Sequence, residues 1–255
     1  MHAVLALDSR YYPSYARYWD HRVFRELILK HIEKNSIVLD LGAGSGFAED
    51  MHFRGVAAHI CGLDPEHSVL LNPHLDEAKI GSGEHIPWAD ESFDVVFAHN
   101  VLEHLSAPEA VLREVWRVLK PGGCFLVKTP NRFHYVTLIA QLTPTSFHKY
   151  FNRLRGRDEV HTFKTHYRLN SKKAIARLAK KCQFELEDLR RIEGRPEYLR
   201  FSVPSYYFGL AWERLVNRYK FLEPFRVLII AVLRKPLAAQ QLENFNKYAT
   251  DRIAG

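Results

Sequence analysis

The residues best placed to do chemistry begin at Asp40, which is followed by Leu41-Gly42-Ala43-Gly44-Ser45-Gly46. Ile37-Val38-Leu39 before it reads as a buried strand that ends in Asp40, and a short helix is expected around Phe47 to Phe53. Glycines suit such a turn because the chain reverses tightly and a ligand can approach a backbone that carries no Cβ. A helix beyond the turn offers free N–H groups at its start. The next apolar strand, His59-Ile60-Cys61-Gly62-Leu63, ends in Asp64, 18 residues past Gly46. A carboxylate there can accept hydrogen bonds from the ribose hydroxyls of an adenosine ligand.

Nicotinamide dinucleotides use the same plan, with the fingerprint GxGxxG. Counted from Gly42, the third glycine position holds Phe47, and the pattern present is GxGxG. A nicotinamide-dependent oxidoreductase therefore ranks low among the alternatives.

The elements that must position these residues alternate in type. A helix with apolar positions Val23, Phe24, Leu27, Ile28 and Ile32 leads into the first strand. Phe93-Asp94-Val95-Val96-Phe97-Ala98 reads as a further strand after the turn-like Ala89 to Ser92. A helix then carries Val111, Leu112, Val115, Val118 and Leu119, and Pro121-Gly122-Gly123 stops it before the strand Cys124 to Val127. Continuous apolar strands separated by helices predict an α/β fold, a mostly parallel sheet with helices on both faces. Farther on, a helix is expected from Ser171, as N-cap, to Cys182, with strands near Phe184 to Ile192 and at Val227 to Leu233. Two stretches, 130–169 and 195–224, are too long for plain connections and are expected to form a cap over a substrate.

Composition sets the outer limits. A chain of 255 residues, 47% hydrophobic and 25% charged, has the make-up of one globular domain spanning 1–255, with a cofactor-binding half at 1–129. The longest apolar run, Val227 to Leu233, is too short to span a membrane, and the start lacks a basic leader segment. The cytoplasm is the expected location, with peripheral contact at a membrane as a further candidate. Cys61, Cys124 and Cys182 have no CxxC spacing and are expected as small core residues. No HExxH pair exists, so no metal is expected, and His161 and His166 read as surface or cap residues.

Charge divides the chain. Met1 to Lys128 holds 12 Lys and Arg against 18 Asp and Glu, whereas Thr129 to Gly255 holds 24 against 11. In the basic half, cations stand among aromatics: from Phe147 to Arg157, at Arg190, Arg191, Arg195 and Arg200 beside Tyr198 and Phe201, and at Tyr206, Tyr207, Phe208 and Trp212 before Arg214, Arg218 and Lys220. That pattern points to an anionic partner, either a phosphorylated or lipid-linked acceptor or the anionic face of a membrane. RNA ranks lower, because no RNA-binding module signature is present.

Four blocks in order carry a family resemblance: Leu39 to Gly46, Gly62-Leu63-Asp64-Pro65, Ile86 to Val96, and Leu119-Lys120-Pro121-Gly122-Gly123. From about Ile37 to Thr129 the chain resembles the class I S-adenosylmethionine-dependent methyltransferases, in particular the bacterial small-molecule group called type 11. The resemblance implies a Rossmann-like sheet and S-adenosylmethionine as cofactor. It places Asp40, Gly42, Gly44 and Gly46 around the methionine part, Asp64 at the ribose, and His99 and Asn100 at the methionine or the transfer site. The family often has an acidic residue four positions before the Ile-Pro pair, at the adenine. Here that position is Ser82, so Gly83 and Glu84 become the candidates for that contact. The Asn/Asp-Pro-Pro-aromatic block of DNA and protein amide methyltransferases is replaced by His99-Asn100-Val101-Leu102.

Methyl transfer from a sulfonium is a displacement that needs alignment first. An alcohol acceptor also needs a base, for which His104 is the first candidate, with Glu103 as an alternative or an orienting partner. His134 and Tyr135 are weaker ones. The implied activity is O-methylation of a small molecule, glycan or lipid-linked intermediate. The alternative is a catalytically inert S-adenosylmethionine-binding scaffold.

Overall fold

The computed structural model describes residues 2–15, 18–46, 49–142 and 165–237. Six helices and seven strands follow in the order α1 (His2–Tyr11), α2 (Trp19–Leu29), β1 (Ile37–Leu41), β2 (His59–Asp64), β3 (Glu77–Ile80), β4 (Phe93–His99), α3 (Pro108–Val118), β5 (Leu119–Pro130), α4 (Tyr135–Leu142), α5 (Lys172–Lys181), β6 (Glu185–Ile192), α6 (Val203–Arg218) and β7 (Leu228–Arg234). They form one sheet in the order β3-β2-β1-β4-β5-β7-β6. Strands β1 to β5 pair in parallel, and β7 runs antiparallel to both β5 and β6.

The pleat sorts side chains onto two faces with a period of two. Leu39, Leu41, Cys61, Leu63, Val96, Ala98 and Val127 pack against Val111, Leu112 and Val115 of α3 and Ile175 and Ala179 of α5. Val38, Ile60, Val95, Phe97 and Leu126 pack on the other face against Phe24, Leu27 and Ile28 of α2. By the same alternation, Asp40, His99 and Lys128 lie on the α2 face at the carboxyl ends of their strands, and His99 is the register partner of Lys128. Lys128 has no exposed surface. Its ammonium donates to the carboxylate of Asp20 in the first turn of α2, which fastens that helix to the sheet.

Most expected elements are present. Ser171 caps α5 by accepting from Ala174 N at 3.2 Å, as its position before an amphipathic run predicts. The three cysteines are buried and free. Three expectations need correction. The helix expected at Phe47 to Phe53 is only a short 3-10 turn, Glu49–Met51, among the described residues. The α3 helix stops at Val118, before Pro121-Gly122-Gly123, because Leu119 already pairs with Phe93; the next pair is Val95 with Cys124, so residues 120–123 form a bulge at the start of β5. The stretch 195–224, expected only as a cap, is largely the helix α6.

Helix α6 escaped the sequence pattern for a chemical reason. Its buried positions are Tyr206, Gly209, Glu213 and Val216, which have helical spacing but not apolar identity. Tyr206 is fully buried, and its hydroxyl donates to Asp8 of α1 at 3.0 Å. Tyr12 donates to Glu213 at 3.1 Å. Helices α1 and α6 thus dock through polar pairs set in an apolar cluster of Val4, Tyr12 and Tyr206. Of the four aromatics expected to meet a membrane, only Tyr207 and Phe208 face outward, since Tyr206 is inside and Trp212 lines an internal cleft. The basic run Phe147 to Arg157 and His161 lie outside the described residues. No helix among the described residues is long and apolar enough to cross a membrane.

Removing Asp20 leaves a buried ammonium without its counter-charge, which costs about 3–5 kcal/mol. Asp20→Ala is therefore expected to lower unfolding stability by about that much. The double variant Asp20→Ala/Lys128→Met should recover most of the loss, because no buried charge then remains. Urea unfolding of the three proteins checks this, and equal destabilisation of the single and double variants would refute it.

Candidate active site

The glycine turn after β1 has a backbone that only glycine adopts freely. Gly44 has φ +51°, and a Cβ built there meets nothing within 4 Å, so the backbone borders open space. Gly42, at φ +82°, serves packing instead, because a Cβ there would lie 2.4 Å from Val101. Gly46 likewise leaves room for the Asn72 side chain. The turn is tied down from both sides: Gly42 N donates to Leu63 O at 2.7 Å, and Gly44 N to Asp64 Oδ2 at 3.0 Å. Asn72 Nδ2 donates to the carbonyls of Ala43 and Gly44, each at 3.2 Å. Sequence reasoning missed Asn72, although the Asn72-Pro73 pair is a turn signal that could have drawn notice.

Asp64 holds this turn through one oxygen and accepts from Glu66 N at 2.9 Å through the other. An ionised carboxylate has about four lone-pair sites, so two remain for ligand hydroxyls. Gly81 N donates to Asp64 O at 3.0 Å, which brings the loop of Ser82, Gly83 and Glu84 beside it. In that loop the Ser82 hydroxyl donates to the Glu84 carboxylate, and Ser106 donates to its other oxygen at 3.4 Å. Gly83 allows close approach of Val111, 3.2 Å from where its Cβ would be.

A cleft of about 550 Å3, open mouth included, lies at the carboxyl ends of β1 and β4, with Asp40, Gly42, Gly46, Asn72, His74 and His99 on its walls. Burial, and then the nearby Asp64 carboxylate, raise the Asp40 pKa to about 8, so near neutral pH this acid retains a proton to donate. His99 is held far below the usual histidine range by burial, then by Lys128 and His21, and is a neutral imidazole. Among the described residues its Nε2 has no hydrogen-bond partner. The His21 ring meets it edge-on at 4.5 Å. Asn100 follows with φ +58°, a left-handed conformation uncommon outside glycine, and its N–H donates to Lys128 O at 2.9 Å.

Glu103 and His104 lie elsewhere. Both belong to the short 3-10 turn Leu102–His104, and neither lines this cleft or the second one described below. Thr129 alternates with Lys128 and so points to the α3 face, where its hydroxyl donates to Glu103 at 2.9 Å. Asn170 donates to Thr129 in turn at 2.6 Å, and the Glu103 carbonyl accepts from His166 N at 2.6 Å. Burial raises the Glu103 pKa.

The second cleft is bounded by Trp19 and Asp20 of α2, His134 and Tyr135 at the start of α4, Glu193 and Arg195 after β6, and Trp212 of α6. Asp20 joins it to the first. Its carboxylate, a ring nitrogen of His21 and one of His99 all lie within 4.8 Å of one another. By reach alone that trio could share a cation, but Asp20 already holds the Lys128 ammonium, whose charge opposes one. The two clefts are thus separated by a wall only a few side chains thick.

Comparison with known proteins agrees with this arrangement. A family described as a methyltransferase domain matches residues 39–127. The ubiquinone biosynthesis O-methyltransferase of Azorhizobium caulinodans is 34% identical over 103 residues, covering 37% of this chain and 40% of that protein. The sterol 24-C-methyltransferase of Yarrowia lipolytica is 30% identical over 131 residues, covering 44% and 34%. The aligned region thus spans less than half the length of the curated relatives it matches. The YcgJ protein of Bacillus subtilis has the same fold at TM-score 0.53 and 19% identity, covering 85% of this chain and 99% of its own. Residues 39–127 of this chain thus match a methyltransferase domain and are similar to S-adenosylmethionine-dependent methyltransferases.

Proposed function

We propose that the whole chain acts as one unit that methylates an oxygen of a small-molecule, glycan or lipid-linked acceptor. The observation that carries this reading is the pair of clefts on either side of a thin wall, His99 lining one and Asp20 the other. S-adenosylmethionine is assigned to the carboxyl ends of β1 and β2 beside the first cleft, since Gly44 borders open space and Asp64 keeps lone pairs for ribose hydroxyls. When bound, it supplies an electrophilic methyl on sulfur and leaves as the neutral thioether. Ser82, Gly83 and Glu84 are the candidates to meet the adenine, and Asp40, His99 and Asn100 the methionine and transfer end. The chain must then align an acceptor hydroxyl and take its proton.

His104 has the sequence argument for taking that proton, whereas His99 lines the first cleft. Burial and the neighbouring Lys128 and His21 keep His99 neutral and oppose its taking a proton, so its place on the wall favours a part in aligning the acceptor. An inert scaffold remains the alternative activity, and it predicts cofactor binding without turnover.

The acceptor, or the surface that presents it, is further proposed to be anionic. Arg214, Arg218 and Lys220 are exposed in and just after the last turns of α6, whose first half exposes Tyr207 and Phe208, 43% and 65% exposed. No nucleic-acid module signature accompanies them, so peripheral docking on an anionic membrane is the form proposed.

Three outcomes are expected. Asp64→Ala removes a charged acceptor worth about 1.5–3 kcal/mol, so calorimetry should show S-adenosylmethionine affinity lower by roughly ten- to a hundredfold, with Gly44→Val at least as damaging. Unchanged affinity in folded protein would remove Asp64 from the site. On an accepted substrate, His99→Ala should cost roughly a hundredfold in turnover through lost alignment and His104→Ala far less; the reverse order would restore His104 as the base. Vesicles containing anionic lipid should float the protein at low salt but not at high salt. The triple alanine variant at Arg214, Arg218 and Lys220 should float poorly, each cation contributing about 1 kcal/mol. Flotation by neutral vesicles alone would defeat the membrane proposal.

A further inference from the structure

One edge of the sheet carries a further group of chemistry-bearing side chains, away from both clefts. Strand β3 ends the sheet and pairs with β2. Their parallel register sets Cys61 opposite Glu77, and the pleat puts His59, two positions before Cys61, on the same face. His59 Nε2 lies 3.8 Å from Glu77 Oε2, and the Cys61 thiol donates to that same oxygen at 3.7 Å. A ring nitrogen, the sulfur and a carboxylate oxygen all lie within 4.8 Å of one another. None of the three residues lines either cleft.

Ligand type and spacing pick out the ion that this set suits. Thiolate, imidazole and carboxylate are the ligands of zinc, at about 2.3 Å for sulfur, 2.0–2.1 Å for nitrogen and 2.0–2.2 Å for oxygen. Tetrahedral bonds of those lengths hold the donors roughly 3.4–3.6 Å apart, so the side chains need to close by about an ångström. Cys61 is 2% exposed, whereas the side chains of His59 and Glu77 are 43% and 40% exposed. An ion can therefore enter from solvent and reach the sulfur between them.

The surrounding charges leave room for it. Lys79 lies 3.0 Å from the other oxygen of Glu77, Oε1, and has further partners in Pro87 O at 3.0 Å and the face of Trp88. Asp76 is engaged by Ile60 N and Arg54. The trio of Asp20, His21 and His99 differs, because Asp20 Oδ2, the oxygen that faces His21, also holds the buried Lys128 ammonium.

We propose that His59, Cys61 and Glu77 bind a zinc ion at the β2–β3 edge, with water as the fourth ligand, and that the ion clamps the two strands together. On binding, the S–H bond of Cys61 breaks, its proton leaves to water and the sulfur bonds the metal. The thiolate and the Glu77 carboxylate then balance the charge of the dication. Strand β2 ends in Asp64 and β3 leads to Gly81, whose N–H donates to Asp64 O, so the clamp steadies the strands that carry both. No linear motif announces the site, because the third ligand comes from the neighbouring strand, 16 positions beyond Cys61.

Cobalt titration of the reduced, metal-free protein tests this. A thiolate ligand gives cobalt(II) a sulfur-to-metal charge-transfer band, and a tetrahedral set gives strong visible bands. One equivalent should bind with both signals, and zinc should displace it. Cys61→Ala, a small change at a buried position, should abolish the charge-transfer band. His59→Gln and Glu77→Gln, at half-exposed positions, should each weaken zinc by roughly a hundredfold or more, the upper end of what loss of a supporting partner costs. Zinc should also raise the thermal midpoint of the parent and leave that of Cys61→Ala unchanged. Absence of the charge-transfer band in the parent, an undiminished band in folded Cys61→Ala, or parent-like zinc affinity in both folded glutamine variants would overturn the proposal.

Discussion

A lysine ammonium with no exposed surface cannot stay charged inside a protein unless an anion meets it. Lys128 stands in that position at the carboxyl end of β5, and Asp20 is the anion. The pair fixes where α2 begins relative to the sheet. With α2 placed, Phe24 and Ile28 cover the apolar residues of β1, β4 and β5, and His21 is set against His99. Asp20 is also a wall of the second cleft, so one ion pair decides the position of the partition between the two.

The pleat then determines which residues can work together. Asp40, His99 and Lys128 face α2, whereas Thr129 and the Glu103 it supports face α3. Residues 99 and 103 are close in sequence, yet the sheet stands between their side chains. Glu103 consequently reads as a brace that ties Thr129, Asn170 and the segment at His166 together. A buried carboxyl satisfied by hydroxyl and backbone partners is ordinary structural chemistry.

Cleft chemistry and surface charge also separate once the chain is folded. The basic excess after Thr129 suggests by itself a site for anions. Within the described residues, many of those cations are spent on acids nearby: Arg195 and Arg200 on Asp8 and Glu197, Arg191 on Glu223, and Arg234 on Glu187. The second cleft is lined largely by aromatic side chains, Trp19, Tyr135, Tyr198 and Trp212. The cations of α6 that point outward are exposed on a different surface.

Strands β1, β2, β4 and β5, helix α3, the glycine turn and the carboxylate at the end of β2 were legible from the chain alone, whereas β3, whose Glu77-Ala78-Lys79-Ile80 lacks an apolar run, was not. Local rules suffice for them: apolar runs make buried strands, a tight turn beside a ligand needs glycine, and Ser171 before an amphipathic run makes an N-cap. Helix α6 was hidden because its buried face is built from Tyr206, Gly209 and Glu213, whose burial depends on partners in α1 nearly 200 positions away in sequence. Asn72 was hidden for the same reason, since its role exists only once the turn after β2 lies against the turn after β1. The chain by itself determined the alternation of strands and helices and the glycine turn after β1, because both are written in residues a few positions apart. Which histidine reaches the cleft, which carboxylate braces the sheet, and which aromatics gather around a second cleft were decided only by tertiary structure, because each depends on elements far apart in sequence meeting at one end of the sheet.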